Sequence, residues 1–357
     1  MKEYLKPIGA LRGIFCLVIV GHHYFSVFRV GFLGCTVFES FFRMGYLAVD
    51  MFFLLSGFCM VMNHEMDLAA DRKKILPFLA KHYLKLVMYS VITMPAWIAK
   101  QLLCYPAGLD VEMDKSKIIL DILCVRTGWY VPCSFPYNGP MWFANILFIV
   151  YIIYVLICLA QSFCKKFDIS LVLYAVFALA AYVCQLTPDV NVFIWQGTTR
   201  RGIAMFFIGC LVYRFYKHCQ EKNYKTLPVT IISYVLAIAS AVLFVLYHDK
   251  IDGDIFIRIY MLTCWPEILW LALTEKWFTK LLSIKPLVVL GKFSNSVFIW
   301  HHPIFYILFS LILLGKININ LGSPLCIIGY LLTIAAIGFA SREFIEKYIL
   351  KLINRIK

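Results

Sequence analysis

Arg12 and His23 stand eleven positions apart in an otherwise apolar stretch near the N-terminus. In an α-helix of about 3.6 residues per turn that interval is three turns plus roughly 20°, so the two side chains share a face with about 16 Å of rise between them. A guanidinium and an imidazole so placed suit an elongated ligand with an anionic head and a reactive end. The guanidinium holds the anion through charge-assisted hydrogen bonds, and the imidazole exchanges a proton. His22 is turned about 80° from Arg12, which makes His23 the better partner. Asp50 and His301 lie in two further apolar stretches. Counted from the inner ends of their stretches, His23, Asp50 and His301 all fall at depths of about 18 to 22 Å, so the three can meet at one level. Asp50 would then accept from one imidazole nitrogen and orient the ring, leaving the other nitrogen as a general base toward a hydroxyl. Two plainer roles stay open: Arg12 reaching past apolar surface to lipid headgroups, and His23, Asp50 and His301 serving as hydrogen bonds that hold a bundle together.

The elements that position these groups must be membrane helices. Of 357 residues, 62% are hydrophobic and only 15% charged, and the mean hydropathy is +0.81, whereas a soluble domain is about half apolar and about a quarter charged. An ionisable group deep in a bilayer costs about 2.5 to 3.5 kcal/mol, so Arg12, His23, Asp50 and His301 count as functional residues by default. The fold class expected is an all-α polytopic membrane protein of about ten transmembrane helices, at 8–29, 44–62, 82–103, 140–162, 169–187, 201–217, 228–247, 255–274, 288–314 and 322–345. The first span carries Arg12 and His23 and lacks a small-residue cleavage site, so it reads as part of the mature chain.

Alternate loops carry the cations: Arg72-Lys73-Lys74, Lys165-Lys166, Lys217/Lys222/Lys225 and Lys276/Lys280/Lys285, together with the C-terminal tail. By the positive-inside rule both termini are then cytoplasmic, and the expected location is the inner (cytoplasmic) membrane of a cell, which the chain crosses many times. The net charge of +14 is spread over these loops instead of forming a compact basic domain, which argues against nucleic acid and for anionic lipid. Thirteen cysteines form no CxxC pair, so no metal site is expected. Cys35, Cys104, Cys124 and Cys133 would face outward, where an oxidising compartment allows pairing.

No internal repeat or flexible linker divides the sequence, so residues 1–357 read as a single domain without an appended soluble one. Within it, the outward loop 104–139 has an apolar-periodic stretch from Ile118 to Val125, expected to form a short interfacial helix. Pro95, Pro266 and Pro303 could break helices as transporter sites require, so an exporter of a glycan or a small anionic substrate is the competing class.

Four motifs fit together. Leu11-Arg12-Gly13 with the run to His23-Tyr24, the stretch from Gly45 through Asp50 to Phe58, Gly139-Pro140-Met141-Trp142-Phe143, and Ser294-Asn295-Ser296-Val297-Phe298-Ile299-Trp300-His301-His302-Pro303 together resemble the acyltransferase-3 family of membrane acyltransferases over essentially the full length. Lys81-His82-Tyr83-Leu84-Lys85 stands where that family usually has an Arg-rich helix start, and lysine offers a point charge without the bidentate fork. The resemblance implies transfer of an acyl group, commonly acetyl from cytoplasmic acetyl-CoA, to a hydroxyl of a cell-surface or lipid-linked glycan. It implies no tightly bound cofactor: acyl-CoA and the sugar acceptor are substrates, lipids surround the protein, and a homo-oligomer is open. Under it, Arg12, Lys81 and Lys85 bind the CoA phosphates and His23, Asp50 and His301 carry the chemistry. His23 then either removes the proton of the acceptor hydroxyl or carries the acyl group itself.

Overall fold

The computed structural model describes residues 5–28, 36–109, 113–129, 135–186, 195–250 and 253–355, and these form helices and no strands. In chain order the α-helices are α1 Lys6–Phe28, α2 Thr36–Arg43, α3 Ala48–Ala70, α4 Ile75–Cys104, α5 Lys115–Ile122, α6 Trp142–Phe163, α7 Ile169–Gln185 and α8 Gly197–Glu221. There follow α9 Leu227–Tyr247, α10 Gly253–Thr263, α11 Trp265–Thr274, α12 Lys276–Leu282, α13 Lys285–Leu313, α14 Pro324–Ala340 and α15 Lys347–Ile353. Of the ten expected crossings, eight coincide with helical runs long and apolar enough to span a bilayer. The other two are α7, shorter at 17 residues, and α8, which carries Arg200, Arg201, Arg214 and Lys217.

The span expected at 255–274 is two helices: α10 ends before Cys264 and α11 restarts with Pro266 in its first turn, where a missing N–H leaves no hydrogen bond unmade. Pro95 and Pro303 sit inside continuous helices. The short helix expected over 118–125 in the 104–139 loop is present three residues earlier as α5, Lys115–Ile122, capped by Asp114 accepting from Ser116 N. The chain divides into two compact units, residues 1–15, 44–76 and 150–292 forming the first and 16–43, 77–149 and 293–357 the second.

In the first unit, α9 shows how the membrane sorts side chains. Ile231, Val235, Ile238 and Val242, spaced along one face, are 49–60% exposed, while Thr230, Ser233 and Ser240 are buried. Trp270 donates to Thr230 Oγ1 (3.3 Å) and Ser240 bonds the Thr263 carbonyl (3.0 Å). Apolar surface outward and hydrogen-bonded polar groups inward is the arrangement lipid selects, because hydrocarbon offers unpaired polar groups no partner.

The centre of this unit is the close pairing of α3 with α8. A Cβ on Gly57 would lie 1.8 Å from the Phe206 carbonyl oxygen, and one on Gly209 2.0 Å from that of Leu54. Only glycine permits such a backbone approach. The two helices run parallel: Arg201 pairs with Asp50 near their starts, Cys210 Sγ meets the Gly57 carbonyl midway (3.6 Å), and Arg214 reaches Glu65 (3.2 Å) near their ends.

In the second unit, α14 packs on α13 at Gly338, where an added Cβ would meet Val297 Cγ2 at 2.9 Å. After α14 the chain makes a π-helical turn at Ser341–Glu346 before α15. The buried Glu346 carboxylate accepts from Ser341 Oγ (2.7 Å) and from Ser296 Oγ on α13 (3.0 Å), which ties the chain's last helices to the helix that bears His301.

Candidate active site

A histidine cluster forms in the second unit. His23 on α1 faces His301 on α13, with His301 Nε2 3.2 Å from His23 Nδ1, and the ring of His302 lies 5.1 Å from that of His23. His301 is fully buried and His302 nearly so. Hydrogen-bond chemistry assigns the tautomers, because a backbone carbonyl can only accept. His23 Nδ1 therefore donates to the Ile19 carbonyl (3.0 Å), and His301 Nδ1 donates to that of Val297 (3.2 Å). With both rings neutral, His301 Nε2 carries a lone pair and accepts a share of the His23 Nδ1–H. The lone pair of His23 is then on Nε2, free to take a proton.

His22 is turned to a different partner, the Phe42 carbonyl (2.9 Å). The loop leading into α6 closes over His302: a Cβ on Gly139 would stand 2.6 Å from its Nε2, so a side chain there would displace the ring. Asn138 anchors that loop, donating to Thr93 Oγ1 (3.2 Å) and the Ile299 carbonyl (3.0 Å), while its buried Oδ1 has no hydrogen-bond partner among the described residues. His302 belongs with His301 to the membrane-buried polar residues the sequence marks out, though with no role of its own, whereas Asn138 comes to the cluster only through the fold.

The remaining expected site residues take other surroundings. Asp50, fully buried in the first unit, is engaged by Arg201 through Oδ1, and its Oδ2 has no hydrogen-bond partner among the described residues. Among the described residues the partners of His23 Nδ1 are the Ile19 carbonyl and His301 Nε2. Arg12 is half-buried, its guanidinium 3.8 Å from Cys59 Sγ on α3, with no carboxylate partner among the described residues. Lys81 and Lys85 are half-buried on α4, four residues apart and hence on one face.

The described part of the 104–139 loop is fixed by a buried ion pair. Asp121 on α5 binds Arg126 (3.0 Å) and accepts from Tyr137 N (2.8 Å). Burial pushes its carboxyl above the ordinary carboxylate range, against the opposing pull of the Tyr137 N–H and Arg126. Asn145 accepts from Arg126 N (2.7 Å) and donates to the Met141 carbonyl (2.6 Å), which commits it to holding the loop. Cys104 and Cys124 are buried free thiols, bonded to Ser310 and to the Leu86 carbonyl. Cys35 and Cys133 lie outside the described residues.

The sequence profile of a family described as an acyltransferase domain matches residues 7–342. Among curated proteins the chain is similar to the O-acetyltransferase OatA of Staphylococcus aureus, including strains NCTC 8325 / PS 47 and COL. Identity is 24% over 369 residues, covering 98% of this chain. The chain spans 58% of the length of these relatives. No solved structure matches it.

Proposed function

Because the chain belongs to the acyltransferase-3 family, we propose that it is a multi-pass membrane O-acetyltransferase that moves acetyl from cytoplasmic acetyl-CoA to a hydroxyl of a cell-surface or lipid-linked glycan, with both termini on the cytoplasmic side of the inner membrane. The observation that carries this reading is the His23–His301 pair, which leaves the lone pair on His23 Nε2 with no hydrogen-bond partner among the described residues. His23 Nε2 takes the acceptor's hydroxyl proton as the oxygen attacks the thioester carbonyl. The new C–O bond forms, the tetrahedral oxyanion collapses with cleavage of the C–S bond, and the departing CoA thiolate recovers the proton from the imidazolium. His301 Nε2, accepting from Nδ1–H, stabilises that imidazolium. A covalent route, in which Nε2 attacks the carbonyl and His23 carries the acetyl group, uses the same free nitrogen.

In this reading Arg12, on the same continuous helix as His23, binds the CoA diphosphate, and the pantetheine arm extends along the roughly 16 Å between them. Lys81 and Lys85 add cationic point charges for the donor. Asp50 holds α3 to α8 through Arg201 and keeps Oδ2 available as an acceptor. The test is mass spectrometry of cell-surface glycans from cells with and without this chain: an acetyl difference supports the reading, and identical glycans oppose it.

A further inference from the structure

The first unit contains a cavity of about 680 Å³ at the cytoplasmic end assigned to α3, walled by the last turns of that helix, Arg72, the α6–α7 loop and Arg214 on α8. Its volume lies in the range of small-molecule and cofactor sites. Four cations line it against two carboxylates, Glu65 and Asp168. Both carboxylates are committed to their neighbours. Glu65 accepts from Arg214 (3.2 Å) and Tyr174 (3.0 Å), Asp168 from Arg214 and Leu171 N (3.1 Å), and the one Ser170 hydroxyl lies within reach of both, 3.0 Å from Glu65 and 2.8 Å from Asp168.

The positive charge of Arg72, Lys165 and Lys166 is therefore left over. Arg72 is held in place by stacking 3.7 Å over the Phe163 ring and by donating to Ser162 Oγ (2.9 Å). Lys165 and Lys166 are exposed and have no partner among the described residues. Phe167 adds an aromatic ring to the wall, a surface on which any base can stack. Met66 in the wall lies seven residues beyond Cys59, the contact of Arg12, which puts it on the same face of α3 and about 10 Å along the axis.

We propose that this cavity receives the nucleotide end of the acyl-CoA donor, with Lys165, Lys166 and Arg72 holding its 3′-phosphate while Arg12 holds the diphosphate. The proposal rests on the donor assignment made under Proposed function. A phosphate monoester carries close to two negative charges at neutral pH and offers three acceptor oxygens, which matches three leftover cations better than a diester does.

The test is calorimetric titration of CoA and of 3′-dephospho-CoA into the purified full chain in phosphatidylcholine nanodiscs, for the wild type and for K165Q/K166Q. The wild type should bind CoA about tenfold or more tighter than 3′-dephospho-CoA, the worth of one or two hydrogen bonds to charged groups. K165Q/K166Q should erase that difference by weakening CoA alone. Equal affinities on the wild type, or a variant that weakens both ligands alike or keeps the difference, would overturn the proposal. Discrimination absent in phosphatidylcholine, with phosphatidylglycerol retained through purification in a Lys165- and Lys166-dependent manner, would assign the cavity to a lipid headgroup and also overturn it. If neither ligand binds the wild type, the donor assignment itself fails.

Discussion

Replacing His301 with phenylalanine separates the base from its support. His301 is fully buried, so an aromatic ring of similar size avoids leaving a void, and the Tyr330 hydroxyl keeps its bond to the backbone carbonyl of residue 301 (3.0 Å). What disappears is the acceptor 3.2 Å from His23 Nδ1. That bond matters most when His23 is an imidazolium, where a hydrogen bond to a charged group is worth about 1.5 to 3 kcal/mol. At about 1.36 kcal/mol per tenfold, kcat should fall by about 10- to 150-fold. The Ile19 carbonyl still holds Nδ1–H, so the tautomer survives and the loss is smaller than that of His23→Ala measured alongside it. Because the interaction strengthens only as charge develops, KM for acetyl-CoA should be nearly unchanged. The assay is initial-rate transfer of radiolabelled acetyl in membrane vesicles at matched protein levels. An unchanged kcat would refute the supporting role of His301. A loss as deep as that of His23→Ala would refute the division of labour and make His301 an equal partner in the chemistry.

Other expectations follow from the buried pairs and close contacts. Arg201→Met leaves the fully buried Asp50 without its cation and should cost about 3 to 5 kcal/mol, seen as a lower midpoint in detergent thermal unfolding; adding Asp50→Asn should recover most of it, and a single variant as stable as wild type would contradict the pairing. Gly57→Val places side-chain atoms where Phe206 O already stands, so α3 and α8 must separate, at a cost of at least about 1 to 3 kcal/mol, read as loss of the monodisperse peak on size exclusion. Arg12→Lys keeps the charge but loses the fork, and KM for acetyl-CoA should rise about tenfold, the worth of one charge-assisted hydrogen bond, with kcat retained. Asp121→Ala strands Arg126 and the Tyr137 N–H and should loosen the outward loop, so limited proteolysis should cut within 104–139 in the variant and spare the wild type.

The helical membrane class was legible because lipid imposes it on composition, and boundaries such as 228–247 fell within a residue or two of the helix at Leu227–Tyr247. α5 was legible for the same reason, as an apolar period flanked by turn residues. The break at Cys264 was signalled by Pro266, whereas Pro95 and Pro303 shows that proline alone does not fix a break. At the site, the helical period brought out His23 over His22, and the structure gives the two rings different partners. Depth counting placed His23 and His301 at one level and they meet. It did not bring out Arg201 as the partner of Asp50, because depth carries no information about which helices pack together. The α3–α8 pairing depends on Gly57 and Gly209, two small residues whose meaning emerges only when the helices are brought together. α12 and the π-helical turn at Ser341–Glu346 are too short to leave a periodic signal that can be read.

The central claim is that His23 Nε2 handles the proton or the acyl group during transfer. It is tested most directly by supplying radiolabelled acetyl-CoA to the cytoplasmic face of vesicles bearing wild type or His23→Ala at equal membrane levels and measuring label on glycan. The account predicts that His23→Ala lowers the rate by at least about a hundredfold, the lower bound of a general base's contribution; labelling within twofold of wild type would contradict it.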